Sequence, residues 1–379
     1  MALFFILIIL VLLPDWYIWQ TFVRGSSIYW NILHWTPTTL LFLSMIIAFV
    51  FGRYQEVMMK TFAFLLLALA FPKLLFTLIS LLGKGVSFLW AIAFPIGNTL
   101  GVVAALLLLG ASLYGLTAGW KRLVMKQVDL NFSELPVSFD GYTIVQLSDF
   151  HIGTYLASPE TVDEIVSKVN ALEADAIVFT GDLVNTSPDE VVPFMKVLSN
   201  LKAKDGVFSI LGNHDYCRYR RYDSPDGPQL SLEAVIAHER EMGWDLLLNE
   251  HRILTCGNDS IALIGVENAG SFKPSRGDLP KAMKNLPKGI FQILLSHDPT
   301  HWRNEVLPTT DIQLTLSGHT HAMQLKIGRF SPSQWMFPEW GGLYEEGNQR
   351  IHVSTGTGSN VSFRWGAWPE IDVITLHVN

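Results

Sequence analysis

Residues 142–153 read YTIVQLSDFHIG, and this stretch decides the fold of the region that follows it. The apolar, β-branched run from Tyr142 to Leu147 predicts a buried strand, and Asp149, His151 and Gly153 come just after its end. Because strands of an open α/β sheet build their site beyond their carboxyl ends, we expect such residues to converge. Four later runs end in the same way, at Thr180-Gly181-Asp182, Gly212-Asn213-His214-Asp215, Ser296-His297-Asp298 and Gly318-His319-Thr320-His321.

The periodicity of the C-terminal part indicates an α/β fold. Short β-branched runs predict strands at residues 142–147, 176–180, 207–211, 261–266, 291–296, 312–316, 351–354 and 371–376. Amphipathic runs predict helices at residues 159–172, 188–201 and 231–242. This order begins β-α-β-α-β and ends mainly in strands, so it requires more than one sheet with helices covering the sheets.

The polar residues beyond these strands are candidate metal ligands. Carboxylate, amide and imidazole groups suit Mn, Fe or Zn, and the absence of Cys from all five blocks argues against a structural zinc site. Asp149 and His151 are two residues apart, so along an extended segment they would point the same way, and His319 and His321 repeat the spacing. Seven donors exceed the needs of one ion, and a carboxylate such as Asp182 can bridge two.

The five ordered blocks resemble the calcineurin-like metallophosphoesterases, over about two thirds of the chain from Tyr142 onward. Gly318–Gln324, Arg364 and Pro369-Glu370 are similar to membrane-associated bacterial members. The resemblance implies a four-layer αββα sandwich and two divalent metal ions, with Mn favoured and Fe, Zn or Co also suited. It implies that one ion is held by Asp149, His151 and His321, the other by Asn213, His297 and His319, and that Asp182 bridges them.

The same resemblance assigns catalytic roles to His214 and Asp215. His214 would protonate the leaving oxygen or steady the transition state. Asp215 would orient His214, because an anionic partner fixes the tautomer of an imidazole. Ala322 and Met323 stand where two glycines are common in similar proteins, which concerns substrate contact and not the metals.

The first 120 residues have a different composition, with seven of the chain's 61 Lys, Arg, Asp and Glu residues. Because about 20 apolar residues cross a bilayer as a helix, we predict four spans at about 1–22, 36–52, 61–82 and 97–119. Pro95, Gly97 and Asn98 predict the break before the last span. Lys73 is expected to snorkel or to fill a kink, and Asp15 to belong to an interfacial anchor.

These patterns predict three regions: a transmembrane region at 1–120, a linker at 121–140 and a metallophosphoesterase domain at 141–379. Five Lys or Arg in the loops on one side against two on the other favour a multi-pass cell-membrane protein with a cytoplasmic catalytic domain. The part after residue 120 has a net charge of −10, which argues against a nucleic-acid partner.

The expected function is hydrolysis of a phosphodiester, phosphomonoester or pyrophosphate bond. Anchoring in the lipid bilayer favours a lipid-linked substrate. Two alternatives remain open: a non-catalytic scaffold, which would be expected to lose His214 or several ligands, and a membrane sensor or transporter. The basic aromatic segment 217–222 could grip a second phosphate, reach lipid headgroups or form a solvated loop face.

Overall fold

A computed structural model describes the backbone of residues 2–50 and 55–379, and the side chains outside 1–7, 49 and 51–56. The chain forms two compact units. The first comprises Met1–Ala118 with Val361–Phe363, and the second comprises Gly119–Asn360 with Arg364–Asn379.

The first unit is helical. Its helices are α1 (Ala2–Ile18), α2 (Ile28–Val50), α3 (Gln55–Leu65), α4 (Phe71–Val86) and α5 (Ala93–Thr117), with a π-helical turn at Leu66–Ala70 joining α3 to α4. Among the described residues, three apolar helices are long enough to cross a membrane, Ile28–Ala48, Val57–Val86 and Ala93–Lys121, and the apolar helix Ile8–Val23 is shorter. Met1, Phe51 and Gly52, at the ends of two predicted spans, lie outside the described residues.

The break before the last helix was predicted in the wrong place. It falls between Val86 and Ala93, and Pro95 lies in the first turn of α5. Proline is tolerated there, because the backbone N–H groups of the first turn have no acceptor within the helix.

Two charged side chains of the first unit form an ion pair. Lys73 Nζ lies 2.7 Å from Asp15 Oδ1, and Asp15 is only 1% exposed. Thr38 donates to the other carboxylate oxygen, and His34 Nε2 lies 2.9 Å from the Asp15 carbonyl oxygen. Asp15 and Lys73 therefore contact each other, as expected of a buried carboxylate, which favours a charged partner.

The second unit contains two six-stranded sheets. One has the order β1-β12-β2-β3-β4-β5 and the other β10-β11-β9-β8-β7-β6. The strands are β1 (Val124–Phe132), β2 (Tyr142–Leu147), β3 (Ala176–Phe179), β4 (Val207–Ser209), β5 (Asp245–Leu246), β6 (Glu250–Cys256), β7 (Asp259–Gly265), β8 (Phe291–Leu295), β9 (Leu314–Ser317), β10 (Gly342–Glu346), β11 (Gln349–Val353) and β12 (Glu370–Val378). The helices are α6 (Glu160–Asn170), α7 (Met195–Leu198), α8 (Gly227–Glu241), α9 (Leu279–Ala282) and α10 (Leu307–Thr309).

The two sheets pack face to face and carry helices on their outer faces. Successive residues of a strand point to opposite faces, so Ile144 packs with Leu263 between the sheets, whereas Val145 packs outward with Val162 of α6. The outer core of the second sheet includes Trp302. This arrangement confirms the expected four-layer αββα sandwich.

Two expectations about the organisation of this unit were wrong. Residues 121–140 are not a linker, because β1 pairs in parallel with β12 from Val124–Glu370 to Phe132–Val378. Residues 188–201 do not form one helix but two 3₁₀ turns followed by α7. Pro193 lies within this segment, and proline removes a donor and clashes with the preceding turn of a continuous helix.

The strands that precede the five polar blocks run in parallel within their sheets. β2 pairs with β3 and β3 with β4 in one sheet, and β8 pairs with β9 in the other. Their carboxyl ends therefore lie at a common edge in each sheet, which brings the blocks together.

Candidate metal centre

The polar blocks form one continuous cluster of ligand-type side chains. Within each of three groups, the candidate ligand atoms lie within 4.8 Å of one another. The groups overlap at His151 and Asp182, so they constitute a single site. They are Asp149-His151-His321, His151-Asp182-His214 and Asp182-His297-His319.

Asp182 lies between two sets of imidazoles. Its Oδ2 is 3.2 Å from His297 Nε2 and 3.6 Å from His151 Nε2. Its Oδ1 accepts a hydrogen bond of 2.8 Å from the backbone amide of His214, which holds the carboxylate in place. One carboxylate thus faces both sets, as a bridge between two cations requires.

The imidazole nitrogens face each other in two close pairs. His151 Nε2 lies 3.0 Å from His321 Nε2, and His319 Nδ1 lies 3.2 Å from His297 Nε2. Two nitrogens that each bind one ion at about 2.0–2.1 Å are about 3 Å apart when the angle between them is near 90°. The pairs therefore have the spacing of ligands that share an ion.

The outer nitrogens of two rings bind backbone carbonyl groups. His151 Nδ1 lies 3.2 Å from Val184 O, and His297 Nδ1 lies 2.7 Å from Thr180 O. A carbonyl can only accept, so Nδ1 carries the proton in each ring and Nε2 is free to bind a cation.

The side chain of Asn213 provides an independent test of the metal assignment. Its Oδ1 is buried and has no hydrogen-bond partner, whereas its Nδ2 donates to Tyr219 Oη at 2.8 Å. Buried amide oxygens in proteins are nearly always satisfied, so this oxygen fits a metal ligand.

Burial keeps three of the imidazoles neutral. It lowers the pKa of His151 and of His321 well below the usual value, and it lowers the pKa of His319 to about 4. A neutral ring retains the lone pair that a cation needs.

Burial and neighbouring charge act against each other at the remaining groups. Burial raises the pKa of Asp149 to about 6, against the lowering effect of His297. Burial would also raise the pKa of Asp182, but His297 and His214 lower it well below its usual value. Burial opposes charge on His297, yet Asp182 and Asp149 raise the pKa of that ring to about 10. The carboxylates therefore favour positive charge at this point.

Most of the candidate ligands have a left-handed backbone, contrary to the extended geometry predicted for Asp149-x-His151 and His319-x-His321. Positive φ is uncommon outside glycine and clusters at functional sites, where tertiary contacts hold it. The φ angles are +52° at Asp149, +45° at His151, +61° at Asp182, +72° at His319 and +49° at His321. Tight turns, and not alternation along a strand, therefore aim these side chains.

Glycine at two positions makes room for the carboxylates. A Cβ added to Gly318 would lie 1.9 Å from Ser148 Oγ and 2.2 Å from Asp149 Oδ2. A Cβ on Gly212 would lie 2.2 Å from Asp182 Oδ1. Neither glycine has a positive φ, so the close approach of the carboxylates explains why glycine stands here.

The structure corrects the predicted role of Asp215. The His214 ring does not bond to this carboxylate, because His214 Nδ1 lies 2.7 Å from Asn185 O. The Asp215 oxygens instead accept hydrogen bonds from four backbone amides, those of Asp182, Leu183, Val184 and Gly212. Asp215 is therefore a positioning residue that holds the Asp182 and Asn213 loops together.

Sequence reasoning missed two asparagines beside His214. Asn185 supplies the carbonyl that binds Nδ1, and Asn360 Nδ2 lies 3.5 Å from Nε2. The available signal for Asn185 was its place three residues after Asp182. Asn360 gave no signal, since it precedes the last strand by ten residues.

Aromatic rings surround the cluster. Tyr219 stacks on His214 with ring centroids 4.2 Å apart, and Phe272 lies 4.5 Å from the His319 ring. Met323 and Trp335, which follow the last ligand block, are 41% and 74% exposed. The surface beside the centre is therefore partly apolar.

Comparisons with known proteins identify the family of this chain. Residues 142–323 match the family described as Calcineurin-like phosphoesterase, and residues 1–120 match Probable Calcineurin-like phosphoesterase, transmembrane domain. The chain is 31% identical over 258 residues to the uncharacterized metallophosphoesterase YkuE of Bacillus subtilis, covering 64% of this chain and 82% of that protein.

Two further relatives have more informative names. A transmembrane protein with metallophosphoesterase domain from Danio rerio is 29% identical over 287 residues, 73% of this chain and 62% of its own. The UDP-2,3-diacylglucosamine pyrophosphatase LpxG of Chlamydia trachomatis is 25% identical over 300 residues, 65% of this chain and 88% of its own. The chain belongs to the calcineurin-like metallophosphoesterases and carries the transmembrane region of a membrane-associated branch of that family.

Proposed function

We propose that this protein is a membrane-anchored two-metal phosphoesterase that hydrolyses a phosphodiester, phosphomonoester or pyrophosphate bond. The observation that carries the proposal is the position of Asp182 Oδ2, 3.2 Å from His297 Nε2 and 3.6 Å from His151 Nε2. Asp182 and the other candidate ligands would hold two divalent ions, which would supply stabilisation of negative charge on the oxygens around phosphorus during its displacement.

The residues of the site have two kinds of role, metal binding and proton transfer. Asp149, His151 and His321 would hold one ion, and Asn213, His297 and His319 the other. Manganese suits this mixed oxygen and nitrogen donor set, as do iron, zinc and cobalt. His214 holds the proton that the leaving oxygen needs: its Nδ1 is engaged by Asn185 O, so Nε2 is the atom that gains and gives a proton.

Three observations favour a lipid-linked substrate. The N-terminal 120 residues match a transmembrane region, one relative acts by name on a diacylated nucleotide sugar, and apolar side chains are exposed beside the last ligand block. We further propose a multi-pass topology with a cytoplasmic catalytic unit, from the excess of Lys and Arg in the loops predicted to lie inside. Reporter fusions at the C-terminus test this sidedness, and an external signal contradicts it.

The activity is tested with the full chain purified in detergent. Metal is removed with a chelator, Mn²⁺ is added back, and release of p-nitrophenol from bis(p-nitrophenyl) phosphate is measured with metal content. We expect Mn²⁺-dependent turnover, which falls by about 10²-fold or more in His214→Ala and Asp182→Asn. His377→Ala is the matched control, because this exposed histidine of β12 lies outside the centre.

One outcome would contradict hydrolysis. If the wild type binds two ions per chain and turns over no compound in a broad panel of phosphoesters, the non-catalytic scaffold is the better description.

A further inference from the structure

A cleft of about 480 Å³ lies in the second unit, outside the cluster of metal ligands. Its walls include Tyr216, Arg218, Arg220, Tyr222 and Arg276. Three guanidinium groups therefore reach one cavity from two separate segments of the chain. Nothing in the proposed hydrolysis at the metal centre uses these arginines.

Carboxylates approach two of the three arginines only through a neutral group: Ser187, which binds Arg220, donates to Asp189, and Tyr216, under Arg276, donates to Glu267. Within residues 2–50 and 55–379, none of the three forms an ion pair, although the part of the chain after residue 120 has a net charge of −10. By contrast, Arg252, Arg303 and Arg350 each lie within 3 Å of a carboxylate oxygen, those of Asp245, Glu339 and Glu345 respectively. The cleft is thus a positive site in an acidic unit.

Neutral groups hold two of these guanidinium groups in place. Arg220 Nη1 donates to Ser187 Oγ at 2.7 Å, and its guanidinium carbon lies 5.1 Å from the centre of the Tyr222 ring. The guanidinium of Arg276 lies over Tyr216 at the same distance of 5.1 Å. Aromatic faces orient a guanidinium without neutralising it, so its donors remain able to bind an anion.

The first turn of α8 adds to the positive potential. Pro228 and Gln229 line the cleft, and α8 continues for 15 residues from Gly227 to Glu241. The N–H groups of Gly227 and Leu230 already donate to Ser224 O and Asp226 O, and Pro228 has none, so it is the dipole of the helix that favours negative charge here. Arginines and helix end therefore favour the same kind of ligand.

One short segment connects the cleft to the metal centre. Tyr216 lies two residues after His214, within the same 3₁₀ turn. Between the arginines in the sequence, Tyr219 accepts a hydrogen bond from Asn213 Nδ2 and stacks on the His214 ring. The cleft and the centre therefore share one short stretch of chain, which is the reason for assigning two parts of one substrate to them.

We propose that this cleft binds a second phosphate of the substrate, separate from the scissile one, so that the preferred substrate class is a phosphodiester that carries a further phosphate elsewhere in the molecule. The proposal rests on the proposed hydrolase function and specifies its substrate. Guanidinium forks bind phosphate oxygens in pairs, and this pairing is what Arg218 and Arg276 supply. A nucleoside bisphosphate, with phosphates on separate hydroxyl groups, and a phosphorylated lipid both offer this chemistry.

The experiment compares matched substrates that differ by one phosphate, with the full chain in detergent and Mn²⁺. In the nucleotide arm, thymidine 3′-phosphate 5′-(p-nitrophenyl phosphate) is compared with thymidine 5′-(p-nitrophenyl phosphate), and release of p-nitrophenol is measured for both. In the lipid arm, phosphatidylglycerol phosphate is compared with phosphatidylglycerol in mixed micelles. We expect kcat/KM to be higher for the two-phosphate member in at least one arm, which also identifies the source.

The variants assign that preference to the cleft. In Arg218→Gln/Arg276→Gln we expect the ratio of kcat/KM between the two-phosphate and one-phosphate substrates to fall about tenfold or more, mainly through KM. Arg218→Lys keeps the charge but loses the fork, so it should retain part of the preference. Arg252→Gln, which removes an arginine already paired with Asp245, should leave the ratio unchanged.

The outcomes separate the two proposals. Absence of turnover on every one-phosphate and two-phosphate compound contradicts the hydrolase itself. Turnover without a two-phosphate preference, or a preference that the double variant retains, overturns the second-phosphate site alone. Metal content and thermal unfolding of each variant verify that it is folded, and the single variants replace the double variant if that one is not.

Discussion

The Asp215 carboxylate accepts a hydrogen bond of 2.8 Å from the backbone amide of Asp182, and this contact places the carboxylate that faces both sets of imidazoles. Asp215 lies at the start of its own loop, after β4, whereas Asp182 follows β3. The hydrogen bond therefore connects the ends of two neighbouring strands. It shows how a residue that contacts no histidine ring positions the centre.

Replacing Asp215 by Asn should weaken metal binding. One acceptor becomes an NH₂ group that faces backbone N–H donors, so the loop at Asp182 must shift. We expect the affinity for Mn²⁺, measured by chelator competition, to fall about 10- to 100-fold. Asp259→Asn is the control, because Asp259 also accepts from a backbone amide, that of Ser138, far along the chain. Equal affinities in wild type and Asp215→Asn would contradict the positioning role.

Adding one methyl group at Gly318 should remove an ion from the centre. Its Cβ would lie 2.2 Å from Asp149 Oδ2, so Asp149 must move away from His321. We expect Gly318→Ala to bind one equivalent of metal less than wild type, as measured by elemental analysis, with a destabilisation of about 1–3 kcal/mol. Gly110→Ala is the control, because its Cβ would meet open space. Two bound equivalents in Gly318→Ala would show that the site tolerates the methyl group.

Breaking the ion pair in the helical unit should destabilise it strongly. Lys73→Met leaves the Asp15 carboxylate, which is 1% exposed, without its cationic partner. We expect a loss of about 3–5 kcal/mol, seen as a lower unfolding temperature in detergent. The double variant Asp15→Leu/Lys73→Met should recover most of this loss, because it removes both charges. Lys84→Met, at the end of the same helix, serves as the control, and an equal effect there would count against the pair.

Acid should destabilise the second unit through His352. Burial lowers the pKa of His352 to about 4, whereas the pKa of a histidine in an unfolded chain is about 6.5. The unfolded state therefore binds a proton before the folded state does. The stability contributed by the neutral ring is complete above about pH 6.5 and is lost as the pH falls toward 4, with a slope of up to about 1.4 kcal/mol per pH unit.

This slope can be isolated by difference. His352 Nδ1 lies 3.0 Å from Gln146 Oε1, its Nε2 lies 3.8 Å from Asp372, and Glu370 and Lys126 are close by. His352→Gln retains a donor to Gln146 but does not titrate. The free energy of unfolding of wild type minus that of the variant should decrease between pH 6.5 and pH 4, and a constant difference would refute the assignment.

The sequence by itself determined much of the secondary structure of the second unit. The strand predicted at 142–147 coincides with β2, and each of the other seven predicted strands overlaps an observed one. Alternating apolar patterns report the two faces of a strand directly, so they predict buried strands well. Four strands were missed: β5 has only two residues, and the residues of β1, β6 and β10 are mostly only partly buried or exposed. The identities of the donors, read from the residues beyond the strands, were equally accessible.

Only the tertiary structure decided how these donors are aimed and held. The left-handed turns at Asp149 and His321, the acceptor role of Asp215 and the carbonyl of Asn185 depend on backbone from other segments. The same holds for Lys73, whose partner Asp15 is 58 residues away. Local sequence encodes propensity and polarity over a few residues, whereas these contacts exist only after distant strands and helices pack, and that packing sets the geometry on which the chemistry depends.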